Sequence, residues 1–254
     1  MQDVVKAILD ASFLMLDKCK LNIHILYPAA FRLRGVNLSV ITMDLLTQIK
    51  EEAKRYFTNA KGSHDWNHTE RVYNLCMHIG KRENADLGIL KLAAILHDIG
   101  REYQDKTDGK VCHAERGALL ARELLEKYKV GEKRIEKIVH CIECHRFRGD
   151  KMPQSKEAKV LYDADKLDSI GAVGIGRAFL FAGEVGAHLH NIGVDIEKTK
   201  PYTEEDTAYR EFVVKLRKVK DKMLTEEGKR IAEERHHFMD EFFDRLNKEI
   251  GGNV

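Results

Sequence analysis

LAAILHDIG, residues 92–100, is the stretch that decides the fold. Its apolar residues continue the spacing of Leu87 and Leu90, which is the period of a helix whose apolar face packs into a core. His97 lies seven residues after Leu90 and four after Ala93, so it shares that apolar face. Because an unpaired imidazole is costly there, His97 is either a hydrogen-bonded core residue or a ligand.

Two other predicted helices carry polar residues on their apolar faces. His68 is four residues before Val72, and Asp165 is four residues after Leu161. Together with the pair His97-Asp98, they direct imidazole and carboxylate groups inward from three helices. Helical bundles build metal sites in this way. This mixture of ligands suits Mn, Fe, Co, Ni or Zn better than a calcium site made only of oxygen atoms.

The rest of the chain also shows the helical period, and no segment alternates convincingly as a strand would. Only three prolines interrupt it. We therefore predict an all-α fold, a helical bundle with the metal site between its core helices. The spacing of Phe212, Leu216, Val219 and Met223 predicts one amphipathic helix. Gly100 is predicted to cap the C-terminus of the helix that contains Leu90 and His97.

Composition excludes several classes of protein. The 254 residues contain 43 Lys and Arg against 41 Asp and Glu, a net charge of +2. Such a small net charge creates no strong electrostatic field that would attract nucleic acid or a membrane surface, so neither is an expected partner. An apolar run of about 18 residues, as a membrane-spanning helix requires, does not occur. Five cysteines, an odd and sparse number, favour a reduced, cytoplasmic location.

Residues 1–42 differ from the remainder, because they carry the whole basic excess. They are predicted as an N-terminal extension of uncertain order, and 43–254 as the main domain. The extension contains an additional amphipathic helix, serves as a basic targeting peptide, or precedes a natural start at Met43.

The order H…HD…D formed by His68, His97-Asp98 and Asp165 resembles the signature of the HD-domain metal-dependent phosphohydrolases. Residues 63–72, SHDWNHTERV, are similar to the first block of one subgroup, and residues 163–172, DADKLDSIGA, to its last block. The segment 225–239 resembles the subgroup's C-terminal tail. In all, the resemblance covers about 43–248.

The resemblance implies an HD-domain bundle that binds a divalent ion and hydrolyses nucleotides, as a triphosphate pyrophosphohydrolase or as a nucleotidase. The implied metal ligands are His68, His97, Asp98 and Asp165. Asp163 and Asp168 lie near the same place, and one of them would orient a ligand histidine or a basic residue. The ion is Mn, Mg, Co, Ni, Zn or Fe.

A second ion is also implied. His113 opens the block HAERGA, residues 113–118, and His145 follows the sequence IEC, both as in relatives with two metals. These two histidines would hold the second ion, with Asp98 as a bridge. Alternatively they surround a single ion or contact phosphate. We expect one tightly held ion and an optional second.

A divalent ion lowers the pKa of bound water from 15.7 to about 7, so hydroxide can attack phosphorus at neutral pH. The sequence contains neither a Gly-x-Ser-x-Gly elbow nor a phosphate-binding Gly-rich loop of the P-loop type, so it indicates no other catalytic chemistry.

Phosphoryl oxygens need positive charge, and a leaving group needs an acid. The predicted catalytic residues are Asp98, Lys166, Arg71 and the acid Glu102. The predicted substrate-binding residues are His64, Arg116, Arg146 and Arg177. Ion pairing or solvent exposure is their alternative role.

Two other functions stay open at this point. Some HD relatives use six similar ligands to activate oxygen, so a di-iron oxygenase is one alternative. A regulatory nucleotide-binding module is the other. The expected partner is a small phosphorylated molecule, a nucleotide, and the sequence leaves a homodimer open.

Overall fold

The structure is a computed structural model that describes residues 38–58, 65–107, 109–146 and 151–253. Within these ranges the chain forms α-helices and short 3-10 turns, with no β-strand, so the predicted all-α fold is confirmed. The helices are α1 (Leu38–Lys54), α2 (Trp66–Arg82), α3 (Leu87–Leu96), α4 (Arg101–Lys106), α5 (His113–Lys127), α6 (Glu132–Cys144), α7 (Lys156–Leu167), α8 (Gly171–Glu184), α9 (Ala208–Val214) and α10 (Glu226–Ile250).

Several helices begin at a residue whose side chain caps the free backbone amides of the first turn. Asp86 accepts from two amides at the start of α3, Ser155 caps α7 and Thr225 caps α10. At the start of α2, the Asp65 carboxylate accepts from the backbone N–H of His68 at 3.0 Å. Such caps stabilise a helix by about 1 kcal/mol. The Asp65 cap also fixes the first turn of α2, which carries His68.

Helix α3 lies at the centre of the bundle. Seven of its ten residues are buried, as expected for a helix that is apolar on most of its surface. It packs against α2, α6 and α7, while α5 packs on α6, and α10 packs on α7 and α8. Fully buried side chains of these helices form the core: Val72, Ile79, Leu90, Leu96, Ile138, Ile142, Leu161 and Leu167.

The predicted amphipathic helix through Phe212 to Met223 is wrong as a continuous element. Helix α9 ends at Val214, and two 3-10 turns, Leu216–Lys218 and Lys220–Lys222, follow it. Lys215 breaks the helix with φ −134° and ψ −56°. The apolar residues of the pattern are nevertheless buried, because a 3-10 turn also places residues three apart on the same side.

The role predicted for Gly100 is also wrong. Helix α3 ends at Leu96, and Gly100, with φ −87°, immediately precedes α4 instead of adopting the left-handed conformation of a C-terminal cap. A β-carbon on Gly100 would lie 2.3 Å from the carbonyl oxygen of His113. Glycine is needed here because two backbone segments meet.

Residues 43–254 form one compact unit. The interpretation of residues 1–42 as an extension stays a prediction, since residues 1–37 lie outside the described part of the chain. None of the described helices combines the length and the apolar character needed to cross a bilayer.

Candidate metal centre

His68 and His97 bring two ring nitrogens together from separate helices. His68 lies in the first turn of α2, and His97 directly follows α3. Their Nε2 atoms are 3.3 Å apart, and both side chains are buried. On the far side of each ring, His68 Nδ1 donates to Asp168 Oδ2 at 2.7 Å and His97 Nδ1 donates to the Ala94 carbonyl at 2.8 Å.

His113 and His145 form a second pair of the same kind. His113 is the first residue of α5, and His145 directly follows α6. Their Nε2 atoms are 3.1 Å apart. His113 Nδ1 donates to Gln104 Oε1 at 2.9 Å, and His145 Nδ1 donates to the Ile142 carbonyl at 2.6 Å.

The four outer hydrogen bonds determine which nitrogen of each ring carries the proton. All four partners of the Nδ1 atoms are oxygen acceptors, so in each neutral ring the proton is on Nδ1 and the lone pair is on Nε2. When both rings of a pair are neutral, their lone pairs therefore point at one another over 3.1–3.3 Å. A proton or a metal cation between them relieves this repulsion.

Asp98 lies between the two pairs. Its Oδ2 atom is 3.8 Å from His68 Nε2 and 4.0 Å from His97 Nε2. Its Oδ1 atom is 3.2 Å from His113 Nε2 and 3.7 Å from His145 Nε2. The carboxylate thus presents one oxygen to each pair, the arrangement of a bridging ligand.

The three neighbouring aspartates of α7 and its C-terminus have different surroundings. Asp165 Oδ1 lies 3.4 Å from His68 Nε2, on the inner side of the ring. Asp168 binds the outer nitrogen of the same ring. Asp163 instead accepts from the backbone amides of Leu224 and Thr225, at the start of α10. The geometry therefore places Asp165 at the metal centre, Asp168 behind a ligand and Asp163 at a helix junction.

The residues form two sets of potential ligands. His68, His97 and Asp165 make one set, and Asp98, His113 and His145 make the other; within each set the ligand atoms lie within 4.8 Å of one another. Imidazole nitrogens with carboxylate oxygens are suitable donors for divalent transition metals. The donor chemistry and the inward lone pairs fit a metal ion at each set.

Comparison with known proteins gives the family. The model of the HD domain matches residues 65–170, which include all six of these residues. YpgQ of Bacillus subtilis is 37% identical over 212 residues, 81% of this chain and 93% of YpgQ. The chain belongs to the HD-domain superfamily. Its HD pair is His97-Asp98.

Solved structures of HD proteins have the same fold. The crystal structure of YpgQ in complex with ADP has a TM-score of 0.63 and 33% identity, covering 82% of this chain and 96% of that one. An HD-superfamily hydrolase from Bacillus thuringiensis has a TM-score of 0.66 and 27% identity, covering 83% and 98%.

Burial and charge set the protonation of the two sets of potential ligands, which together are called the HD centre. Burial disfavours the imidazolium of His68, but hydrogen bonds to Asp165 and Asp168 outweigh it and raise its pKa to about 9. Burial lowers the pKa of His97 to about 4 and that of His113 to about 2. These two rings are therefore neutral, and ready to bind a cation, at physiological pH.

The two inner carboxylates stay ionised. Burial alone would raise the pKa of Asp98, but Arg101 and the surrounding histidines outweigh it and hold that pKa well below its usual range. Lys166 and His68 do the same for the pKa of Asp165. The buried charge of Asp98 and the partly buried charge of Asp165, beside the neutral rings of His97 and His113, give the HD centre a preference for cations.

Three of the predicted phosphate-binding cations are bound to aspartates of the site. Arg71 Nε and Arg177 Nη1 each donate to Asp168 at 2.7 Å. Lys166 Nζ lies 2.7 Å from Asp165 Oδ2. These cations surround the HD centre, and carboxylates already balance their charge.

The remaining predicted residues lie in other surroundings. Arg146 donates to Gln104, and the Arg116 guanidinium lies 4.7 Å from the centre of the Tyr103 ring. Glu102 pairs with Lys106 in α4, outside the two sets of ligand atoms. His64 lies outside the described residues.

Sequence reasoning missed two residues that contact the centre. Arg101 Nη2 is 3.3 Å from Asp98 Oδ2, and its position three residues after Asp98 could have indicated this pair. Gln104 contacts both His113 and Arg146. No pattern in the sequence indicates Gln104, because its partners lie 9 and 42 residues away.

Proposed function

We propose that this HD protein is a metal-dependent phosphohydrolase that acts on nucleotides. The observation that carries the proposal is the position of Asp98, whose two carboxylate oxygens face two pairs of histidines. A second carboxylate, Asp165, completes the set on the side of His68. The membership of the HD superfamily, with hydrolases among its solved members, supports the same reaction class.

In this proposal His68, His97, Asp98 and Asp165 would hold one metal ion, and His113, His145 and Asp98 would hold a second. A divalent ion bound there would activate water and withdraw charge from a phosphoryl oxygen. The protein's own part is to keep the ligands ionised or neutral as required and to fix their orientation through the outer hydrogen bonds.

The surrounding cations support a phosphorylated substrate. Arg71 and Arg177 are held in place by Asp168, and Lys166 by Asp165. Their orientation is therefore settled before a substrate arrives, which lowers the entropic cost of binding its phosphate oxygens. Glu102 in α4 is the proposed acid for the leaving group.

YpgQ has been crystallised in complex with ADP, and this favours a nucleotide as the substrate of the present protein. The bond broken is either the one that releases pyrophosphate from a triphosphate or the one that releases a terminal phosphate. Measuring the two products separately distinguishes these activities.

The test is to incubate the protein with Mn, Mg, Co or Ni and a panel of nucleoside mono-, di- and triphosphates. We expect metal-dependent release of phosphate or pyrophosphate from at least one nucleotide. His97→Ala should abolish it. His78→Ala is the matched control, because His78 lies on the same helix as His68 but bonds Glu227 at the protein surface. A metal-loaded protein that releases neither product from any nucleotide would contradict the proposal.

The two sets of ligands bridged by Asp98 also favour a second candidate, a di-iron oxygenase on the HD scaffold. Oxygen-dependent turnover by a protein that binds two iron ions, with no phosphate release from the nucleotide panel, would favour that reaction. Phosphate release in the absence of oxygen, with a redox-silent metal, would exclude it.

A further inference from the structure

The side chain of Gln104 in α4 joins two parts of the HD site. Its Oε1 atom accepts from His113 Nδ1 at 2.9 Å and from Arg146 Nη1 at 2.7 Å. Because a guanidinium can only donate, the atom that meets Arg146 must be the amide oxygen. His113 therefore donates to it as well, and the assignment of its proton to Nδ1 follows from the position of Arg146.

This contact fixes how His113 faces the metal centre. With Nδ1 protonated, the Nε2 lone pair points inward, 3.2 Å from Asp98 Oδ1 and 3.1 Å from His145 Nε2. His113 is buried, so few other acceptors can replace the amide oxygen. Loss of Gln104 would leave the ring free to rotate or to carry its proton on the other nitrogen.

Arg146 differs from the other cations around the site in the charge of its partners. Arg71, Arg177 and Lys166 are bound to carboxylates. Within the described residues, Arg146 donates to the neutral amide of Gln104 and to Cys112 Sγ at 3.7 Å. Its positive charge is thus held in place without being neutralised, which leaves it fully available to an incoming phosphate.

We propose that Gln104 is a positioning residue that couples the second metal pair to a phosphate-binding arginine. One amide oxygen orients His113 for the ion and at the same time holds Arg146 for the phosphate of a nucleotide. The part concerning Arg146 rests on the proposed nucleotide substrate, whereas the part concerning His113 rests only on the proposed second metal ion.

Two substitutions separate the two contacts. Gln104→Ala removes both. Gln104→Glu keeps an acceptor for His113 and for Arg146, but adds a negative charge that neutralises Arg146. A purely structural role of Gln104 would change metal binding and nucleotide binding together, so the glutamate variant is the informative one.

The measurements use the full chain, with bound Mn²⁺ counted by electron paramagnetic resonance and ADP binding followed by calorimetry at saturating Mn²⁺. We expect Gln104→Ala to weaken the second Mn²⁺ by about 10- to 100-fold, with the first ion retained. Gln104→Glu should keep both ions and raise the Kd for ADP by about tenfold, as expected for loss of one charged contact. Asp105→Ala, which changes the exposed neighbouring residue of α4, is the control and should match the wild type in both measurements.

A Gln104→Ala variant with two Mn²⁺ ions at wild-type affinity, or a wild-type chain that binds only one, would overturn the role at His113. ADP binding by Gln104→Glu at wild-type affinity would overturn the role at Arg146. If the wild type binds two Mn²⁺ ions but not ADP, the proposed nucleotide function fails along with the Arg146 part, and the Mn²⁺ count of Gln104→Ala still decides the His113 part.

Discussion

His68 donates from Nδ1 to Asp168 over 2.7 Å, and this bond ties the first turn of α2 to the end of α7. The same carboxylate binds Arg71 and Arg177. Asp168 thus orients a metal ligand and holds two cations at once. Because burial alone would raise the pKa of Asp168, the bonds to His68 and Arg71 are what keep that pKa below its usual value.

Replacing Asp168 should damage both metal binding and stability. In Asp168→Ala, His68 loses the acceptor that directs its lone pair inward, so we expect metal affinity at the His68–His97 pair to fall about 10- to 100-fold. The free energy of unfolding should fall by about 3 kcal/mol, because two arginines lose their buried partner. Metal titration and urea unfolding measure these two effects.

Asp168→Asn is the matched variant for this experiment. Its amide oxygen can still accept from His68, but it does not neutralise the arginines. We expect it to recover part of the metal affinity and little of the stability. Wild-type metal affinity in Asp168→Ala would show that the bond to His68 does not matter for the ligand.

The pair Asp165 and Asp163 gives a second prediction, with opposite outcomes at two positions of the same helix. Asp165→Ala should reduce bound metal strongly, because it removes the carboxylate 3.4 Å from His68 Nε2. Asp163→Ala should leave bound metal unchanged but lower the free energy of unfolding by about 2 kcal/mol, since two backbone amides and the Thr225 hydroxyl lose their acceptor. Elemental analysis and thermal unfolding of both variants test this. Full metal occupancy in Asp165→Ala would refute the assignment of this ligand.

We expect the protein to lose stability in acid when the carboxylate of Glu227, in the first turn of α10, is protonated. Arg230 and His78 bond its carboxylate and lower its pKa from 4.5 to about 2. A depressed pKa in the folded protein means that the carboxylate stabilises the fold above about pH 4.5, and that this contribution is lost as the pH falls toward 2. Glu227→Gln should therefore be less stable than the wild type at pH 6, and the difference should vanish near pH 2.

Unfolding by urea at several pH values measures that difference. Glu226→Gln is the control, since the Glu226 side chain is 85% exposed and its partner Lys229 is 54% exposed. It should follow the wild type at every pH. A constant difference between Glu227→Gln and the wild type from pH 6 to pH 2 would contradict the argument.

The fold was predictable from the sequence because the apolar residues of α2, α3 and α7 repeat with the helical period over several turns. Between Phe212 and Met223 the same period failed to predict one helix, because 3-10 turns bury residues at nearly the same spacing. The role of Gly100 depended on how closely α5 approaches it, and a contact between separate segments leaves no local pattern.

The inward residues of the site were predictable for a related reason: a polar side chain on an apolar helix face is conspicuous. His68 and Asp165 stand out in this way. The outer contacts were not predictable, since Asp168 meets His68 across 100 residues and Gln104 meets Arg146 across 42. Tertiary packing decides which charges around the HD centre neutralise one another. Composition and residue spacing contain no information about that packing.

The remaining prediction concerns the backbone approach at Gly100, between α3 and α5. A β-carbon there would lie 2.3 Å from the carbonyl oxygen of His113 and 2.5 Å from the amide nitrogen of Gly117. Both are backbone atoms, which cannot turn away as a flexible side chain could. Any larger residue must therefore push α5 away from the HD pair.

Gly100→Ala should consequently lower the free energy of unfolding by about 3 kcal/mol, at the upper end for overpacking by one methyl group. It should also weaken binding of the second metal ion, because His113 begins α5 and moves with it, away from Asp98.

Gly176→Ala is the matched control. Nothing lies within 4 Å of a β-carbon at that position, which is inside α8, so alanine should stabilise the protein by about 0.5–1 kcal/mol. Chemical unfolding and Mn²⁺ counting of the two variants compare the same change, glycine to alanine, with opposite expected signs. Equal stability of the two variants would mean that the approach of α5 to Gly100 is not a constraint on the metal centre.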